Sequence, residues 1–303
     1  MYFNTIKDEI IKENIVGTGS YGIITIFEEE NKYFIKKKER KKNCKSLERE
    51  VKIFNHLKKL KDYNESNIVK YIKSGFSYDN FNYIILEYNS NLNLRQYLLK
   101  NYNEKFKPGD FLKTYNFFCT MIKTLKFLKN NNIIHFDIKP ENIIIDNNDN
   151  YSLTKFKLCD FGSAIFSDEE IFNLPPLRYR APELIDLSKF SFEIDLWSLG
   201  CILWEILILD DLLFDFNEQD KVYQSQIKLC SNDNLIVLIE KRLKNIEIDE
   251  HDNMFLQYNK LCDLKMIFKK LLSFKYEDRS ELYNFVPIYN DNQVRRRKSS
   301  PSY

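Results

Sequence analysis

Three short polar motifs in a fixed order constrain this chain more than any bulk property does. The first, His135-Phe136-Asp137-Ile138-Lys139-Pro140-Glu141-Asn142, puts an acid, a cation and an amide on one short loop. Asp160-Phe161-Gly162 follows, and then Ala181-Pro182-Glu183. A carboxylate can orient a hydroxyl and take its proton, and an ammonium can meet a phosphoryl group. Amide and carboxylate oxygens can hold a hard metal ion. One such motif could be an ordinary polar loop; three in order are specific.

Upstream, Gly17-Thr18-Gly19-Ser20-Tyr21-Gly22 makes a GxGxxG pattern, which alone is weak. A dinucleotide-binding fold needs a helix directly after it. Here Ile23-Ile24-Thr25-Ile26-Phe27 follows, a β-branched run, so the glycines read as a hairpin whose backbone can approach phosphates. Lys36 lies on the returning strand. Its neighbours Lys37 and Lys38 leave the register open; Lys37 would face the other side of the strand, and both neighbours read as solvated. Phe34, two residues before Lys36, would share its face. The segment Leu47–Leu60 has apolar residues at helical spacing and offers Glu50 as a partner for that lysine, with Glu48 as a competitor.

Bulk properties exclude several classes. With 46 basic and 44 acidic residues the net charge is +2, which points to neither nucleic acid nor membrane. The six cysteines form no CxxC pair, so they read as reduced thiols of an intracellular protein, cytoplasmic or nuclear. The apolar run Trp197–Leu209 carries Glu205 and is too short to span a bilayer, so it reads as a buried core helix. No signal peptide is read at the start. The pattern is strand-rich over the first ninety residues or so, with strands also expected near Ile68–Tyr71 and Tyr83–Glu87. It turns helical from about Pro108, where Phe111, Tyr115, Phe118, Ile122 and Leu125 form one stripe. The tail 288–303 is polar and basic, with Arg295-Arg296-Arg297-Lys298; it reads as a disordered, solvated end or a nuclear address.

The three motifs together resemble the catalytic loop, metal-binding turn and activation-segment end of the eukaryotic protein kinases. The resemblance covers roughly residues 13–287. It implies an α+β bilobal fold, with a small β-rich lobe at about 13–88 and a larger helical lobe at about 90–287. It also implies ATP and Mg²⁺ as cofactors and a protein substrate; no regulatory partner can be named. On this pattern Asp137 is the catalytic carboxylate and Lys139 the cation at the transferred phosphate, while Asn142 and Asp160 are metal ligands. ATP would meet Gly17, Thr18, Gly19, Ser20, Tyr21 and Gly22, Lys36 with Glu50, and Glu87 and Asn89 at the hinge. His135 would pack under Phe161, Glu183 would pair with Arg279, and Asp195 would cap the catalytic-loop backbone.

The runs around Asp160, Tyr179 and Trp197 are similar to the group of cyclin-dependent, MAP and DYRK kinases. Within that group, His-x-Asp-Ile-Lys-Pro-Glu-Asn without an arginine is similar to the DYRK, HIPK and Prp4-like branch. The implied activity is phosphoryl transfer to serine or threonine. A catalytically weak scaffold is the alternative, on three departures from the family: Phe34 over the adenine, Phe136 in place of the arginine that receives an activation-loop phosphate, and Pro176 in place of a threonine.

Overall fold

The computed structural model describes residues 14–19, 22–41, 44–101, 110–145, 153, 155–171, 173–184, 190–208, 237 and 254–286. Ser20, Tyr21, the Asn147–Asn150 run and the tail 288–303 lie outside these described residues.

Five strands form one antiparallel sheet: β1 (Asn14–Gly19), β2 (Gly22–Glu29), β3 (Lys32–Lys38), β4 (Tyr71–Phe76) and β5 (Asn82–Glu87), in the order β1-β2-β3-β5-β4. Gly19 pairs with Gly22, so the glycine motif does close a strand–strand hairpin. A Cβ on Gly22 would lie 2.6 Å from the Lys38 carbonyl, which is why the start of β2 needs a glycine. Between β2 and β3, Glu30 and Asn31 both take positive φ (51° and 59°), the backbone of a tight two-residue hairpin. That turn pairs Phe27 with Phe34 and Thr25 with Lys36.

Helix α1 (Lys45–Leu57) buries Leu47, Ile53, Phe54 and Leu57 against the sheet, and Glu50 lies on the same buried face. The strand expected at Ile68–Tyr71 begins only at Tyr71. Ile68 and Val69 instead bond the second lobe, where the Val69 N–H donates to the Leu158 carbonyl at 3.0 Å.

The second lobe holds α2 (Leu94–Asn101), α3 (Asp110–Asn130), α4 (Glu193–Ile208), α5 (Met254–Leu271) and α6 (Tyr276–Ser280). Tyr115, Phe118, Ile122 and Leu125 of the expected stripe are buried, and Phe117 and Met121 with them, so α3 is enclosed on more than one side. In α4 every described side chain from Ile194 to Leu207 is buried, as its apolar run requires. Among the described residues no helix is long and apolar enough to cross a membrane.

Four short strands position the motifs. β6 (Ile133–Ile134) pairs with β9 (Ile165–Phe166), and β7 (Ile143–Ile145) pairs with β8 (Phe156–Leu158). The 135–142 loop runs between β6 and β7, and Asp160-Phe161-Gly162 runs between β8 and β9. Two small ladders thereby fix both polar loops against the same core.

Candidate active site

The glycine hairpin, β3, the 87–91 segment and both polar loops enclose a cavity of about 340 Å³. Ile24, Ile35, Val69, Leu86 and Ile144 give it apolar walls, while Lys37, Glu87, Asn89, Asn142 and Asp160 supply the polar groups. This size and mixture suit a small ligand with an apolar ring and a charged end. Gly22 lines it too. Gly17, Thr18 and Gly19 lie in β1.

The cation in this cavity is Lys37, which corrects the expectation of Lys36. Side chains alternate along β3, so Ile35 and Lys37 share the cavity face while Phe34 and Lys36 share the other. Lys36 lies over the Tyr83 ring, 5.2 Å from its centroid. Phe34 stacks on Phe27 with ring centres 5.6 Å apart. The residue over the ring site is therefore Ile35, and one ground for a weak scaffold falls away. A turn centred on residues 30 and 31 makes Phe27 and Phe34 cross-strand partners, which was the signal that could have fixed this register from the sequence.

Lys37 Nζ donates to Glu50 Oε2 at 2.8 Å and to Asp160 Oδ1 at 2.7 Å. Burial works against its charge, but Asp160 first and Glu50 next outweigh that and hold its pKa above the ordinary lysine value. Burial likewise opposes ionisation of Asp160, and Lys37 overcomes it, leaving that carboxyl below its usual range. Glu50 is fixed from a second side, since its Oε1 accepts the Phe161 N–H at 3.2 Å. Glu48 is exposed and takes no part. α1 can approach this closely because residue 162 is glycine: a Cβ there would collide with Ser46 Oγ.

Asp195 of α4 grips the 135–142 loop. Its two carboxylate oxygens accept the His135 N–H at 2.8 Å and the Phe136 N–H at 3.0 Å. Burial raises its carboxyl pKa to about 7, although both backbone donors pull it down. Phe136 sits at φ 67°, a left-handed conformation that an aromatic side chain seldom adopts. Burial and an edge contact with the Phe190 ring at 5.9 Å accompany the Asp195 bond there. His135 is buried, and burial pushes its pKa down to about 4. The bonds fit one neutral tautomer: Nε2–H donates to the Cys159 carbonyl at 3.1 Å, and Nδ1 accepts the Asp137 N–H at 3.3 Å. Its ring meets Phe161 at 4.7 Å, the packing role expected of it.

Asp137 Oδ2 accepts Lys139 Nζ at 2.7 Å and Asn142 Nδ2 at 3.0 Å, and the same amide donates to the Asp137 carbonyl at 2.8 Å. Oδ1 of Asp137 is buried with no hydrogen-bond partner among the described residues. Burial raises this carboxyl's pKa, with Lys139 opposing. With Nδ2 of Asn142 committed to Asp137, its amide oxygen is left for another partner. Asp160 spends Oδ1 on Lys37 and keeps Oδ2. These two hard oxygen donors fit a divalent cation that completes its shell with water and phosphate oxygens.

Glu183 and Arg279 form the expected ion pair, with Arg279 fully buried and its guanidinium over the Trp197 ring at 5.7 Å. Not anticipated at all was a cluster joining Arg95, Glu141, Tyr179 and Glu205. Its members lie far apart in sequence and belong to no common motif.

A profile of the protein kinase domain matches residues 10–286. The chain is similar to the dual specificity tyrosine-phosphorylation-regulated kinase mbk-2 of Caenorhabditis elegans, 32% identical over 219 residues, which cover 71% of this chain and 26% of that protein. It is 31% identical to the human dual specificity tyrosine-phosphorylation-regulated kinase 3, over 71% of this chain and 36% of that protein. A probable serine/threonine-protein kinase dyrk2 of Dictyostelium discoideum is 38% identical over 160 residues, 52% of this chain and 16% of that protein. The matches with these curated relatives thus span well under half of their length.

Proposed function

This chain belongs to the protein kinase family, and we propose that it transfers the γ-phosphoryl group of ATP to serine and threonine hydroxyls of protein substrates. The observation that carries this reading is the Asp137 carboxylate, with one oxygen held by Lys139 and Asn142 and the other buried without a partner. An acceptor hydroxyl can donate to Oδ1, which orients its oxygen toward the phosphorus. As the new O–P bond forms and the bond to the departing ADP breaks, Asp137 takes the hydroxyl proton. Its raised pKa suits that task.

Lys37 would neutralise the upstream phosphates, with Glu50 and Asp160 fixing its position. Lys139 would meet the transferred phosphoryl group. Ile24, Ile35 and Leu86 would enclose the adenine, and the backbone at Glu87 and Asn89 would meet its polar edge. Asn142 and Asp160 would hold Mg²⁺, which supplies charge neutralisation between the phosphates. Catalysis then rests on positioning and fixed charge rather than on a covalent enzyme intermediate.

Two features argue that activity needs no activation-loop phosphate. Phe136 is apolar and cannot receive one. Between Phe161 and Pro182 the one tyrosine is Tyr179, and it is buried with its hydroxyl donating to Glu205 at 2.7 Å. Incubation with γ-labelled ATP, Mg²⁺ and an unbiased peptide array tests the proposal. Label on serine and threonine peptides supports it, and no label on any peptide contradicts it.

A further inference from the structure

Arg95 stands on the first turn of α2, between Asn93 and Gln96, which line the cavity, and has no part in the phosphoryl transfer proposed above. A reciprocal cap fixes that turn: the Gln96 N–H donates to Asn93 Oδ1 at 2.9 Å, and the Asn93 N–H to Gln96 Oε1 at 3.0 Å. From there the guanidinium reaches three elements. Nε donates to Glu141 Oε1 at 2.8 Å on the catalytic loop, and one Nη to Glu205 Oε2 at 2.6 Å on α4. The other Nη donates to the Tyr179 hydroxyl at the end of the activation segment, and that hydroxyl donates to the second oxygen of Glu205.

The charges do not balance. One guanidinium serves two carboxylates, and these differ in exposure: the Glu205 side chain is 6% exposed and the Glu141 side chain 43%. Glu141 lines the cavity beside Lys139, where a protein substrate must bring its hydroxyl. Lys139 is itself spent on Asp137. Arg95 is the cation ion-paired to the Glu141 carboxylate, where positive charge arriving with the substrate would meet it. Its planar fork holds the three partners in fixed directions while it supplies the positive charge.

We infer that Arg95 is a specificity-determining residue, an internal cation that occupies the carboxylates at the acceptor side of the site and so removes a preference for basic side chains in the protein substrate. This rests on the kinase reading above. Removing the charge leaves the exposed Glu141 carboxylate without its guanidinium at the acceptor side, and peptides carrying an arginine near the phosphorylated residue then gain by direct attraction.

The test walks a single arginine along an otherwise neutral serine peptide and measures kcat and KM for each position. Wild type is compared with Arg95→Gln, which keeps hydrogen-bond donors but loses the charge, and with Arg95→Lys, which keeps the charge. In wild type the best arginine peptide is expected to match the neutral one within about twofold, and Arg95→Gln is expected to raise that ratio at least about fivefold through the peptide KM. The KM for ATP stays unchanged, and Arg95→Lys stays near wild type. Should Arg95→Gln not fold, Arg95→Met with Glu205→Met removes the buried pair together, leaves Glu141 bare, and predicts the same gain. An equal loss for every peptide in the charge-removed variants assigns Arg95 a structural role alone and overturns the inference. Wild type that labels no peptide overturns the kinase reading and the inference with it; an active wild type with an unshifted ratio in the variants overturns the inference only.

Discussion

Lys37 Nζ lies 2.8 Å from Glu50 and 2.7 Å from Asp160, so a single ammonium is shared between helix α1 and the Asp160-Phe161-Gly162 turn. Glu50 returns the link by accepting the Phe161 N–H. β3, α1 and the Asp160 turn are thereby locked at the cavity, and the position of α1 is coupled to that of Asp160, the proposed metal ligand. A loose Lys37 would leave the buried Glu50 and the part-buried Asp160 without their cation, a costly state that favours the closed arrangement.

Lys37→Met is therefore expected to lower phosphoryl transfer by about 100-fold or more, roughly 2.7 kcal/mol of barrier. Lys36→Met should stay within about twofold of wild type, since Lys36 lies over the Tyr83 ring on the face of β3 turned away from the cavity. Turnover of both variants at saturating ATP checks the pair. Equal losses would contradict the register of β3.

Asp137→Asn and Asp160→Asn should separate chemistry from binding. The first removes the carboxylate proposed to orient the hydroxyl; the second removes the proposed metal ligand and one of the two carboxylates that clamp Lys37. Calorimetric titration with Mg·ATP should show Asp160→Asn weakened by about tenfold or more, and Asp137→Asn close to wild type, although neither turns over.

Phosphatase-treated enzyme should keep most of its rate on an exogenous peptide. Phe136 is buried against Phe190 where a phosphate-binding arginine would otherwise act, and Tyr179 is enclosed. A loss of about tenfold, some 1.4 kcal/mol of barrier, would show that a loop phosphate is required after all.

His135 gives a pH signature in stability. The unfolded chain takes up its proton from about pH 6.5 downward, whereas burial delays this in the folded state to about 4. Over that window the unfolded state binds more protons, so the folded state loses stability as pH falls. Measured against His135→Phe, wild type should lose up to about 3 kcal/mol between pH 7 and pH 4 in denaturant titrations. Parallel stability curves for the two proteins would mean that His135 is not held neutral.

Both polar loops were legible from the sequence because each carries its chemistry in adjacent residues. Asp137, Lys139, Asn142 and Asp160 needed only local spacing, and the fold places all four together. The choice between Lys36 and Lys37 was harder, since three consecutive lysines give no contrast and the answer lies in cross-strand pairing set by the Glu30-Asn31 turn. Ile68 and Val69 look like the start of a strand by composition, yet their backbone bonds go to Leu158 in the other lobe. The Arg95 cluster left no trace, because its four members meet only through packing of α2, α4 and the activation segment.

The most direct test is a single-turnover reaction with enzyme in excess over γ-labelled ATP, Mg²⁺ present and a serine peptide saturating, run with wild type and Asp137→Asn side by side. Wild type should move the label to the serine hydroxyl in one turnover, while Asp137→Asn binds the nucleotide and leaves it intact. Equal transfer by both proteins would contradict the account, because the unpartnered oxygen of Asp137 would then have no part in the chemistry.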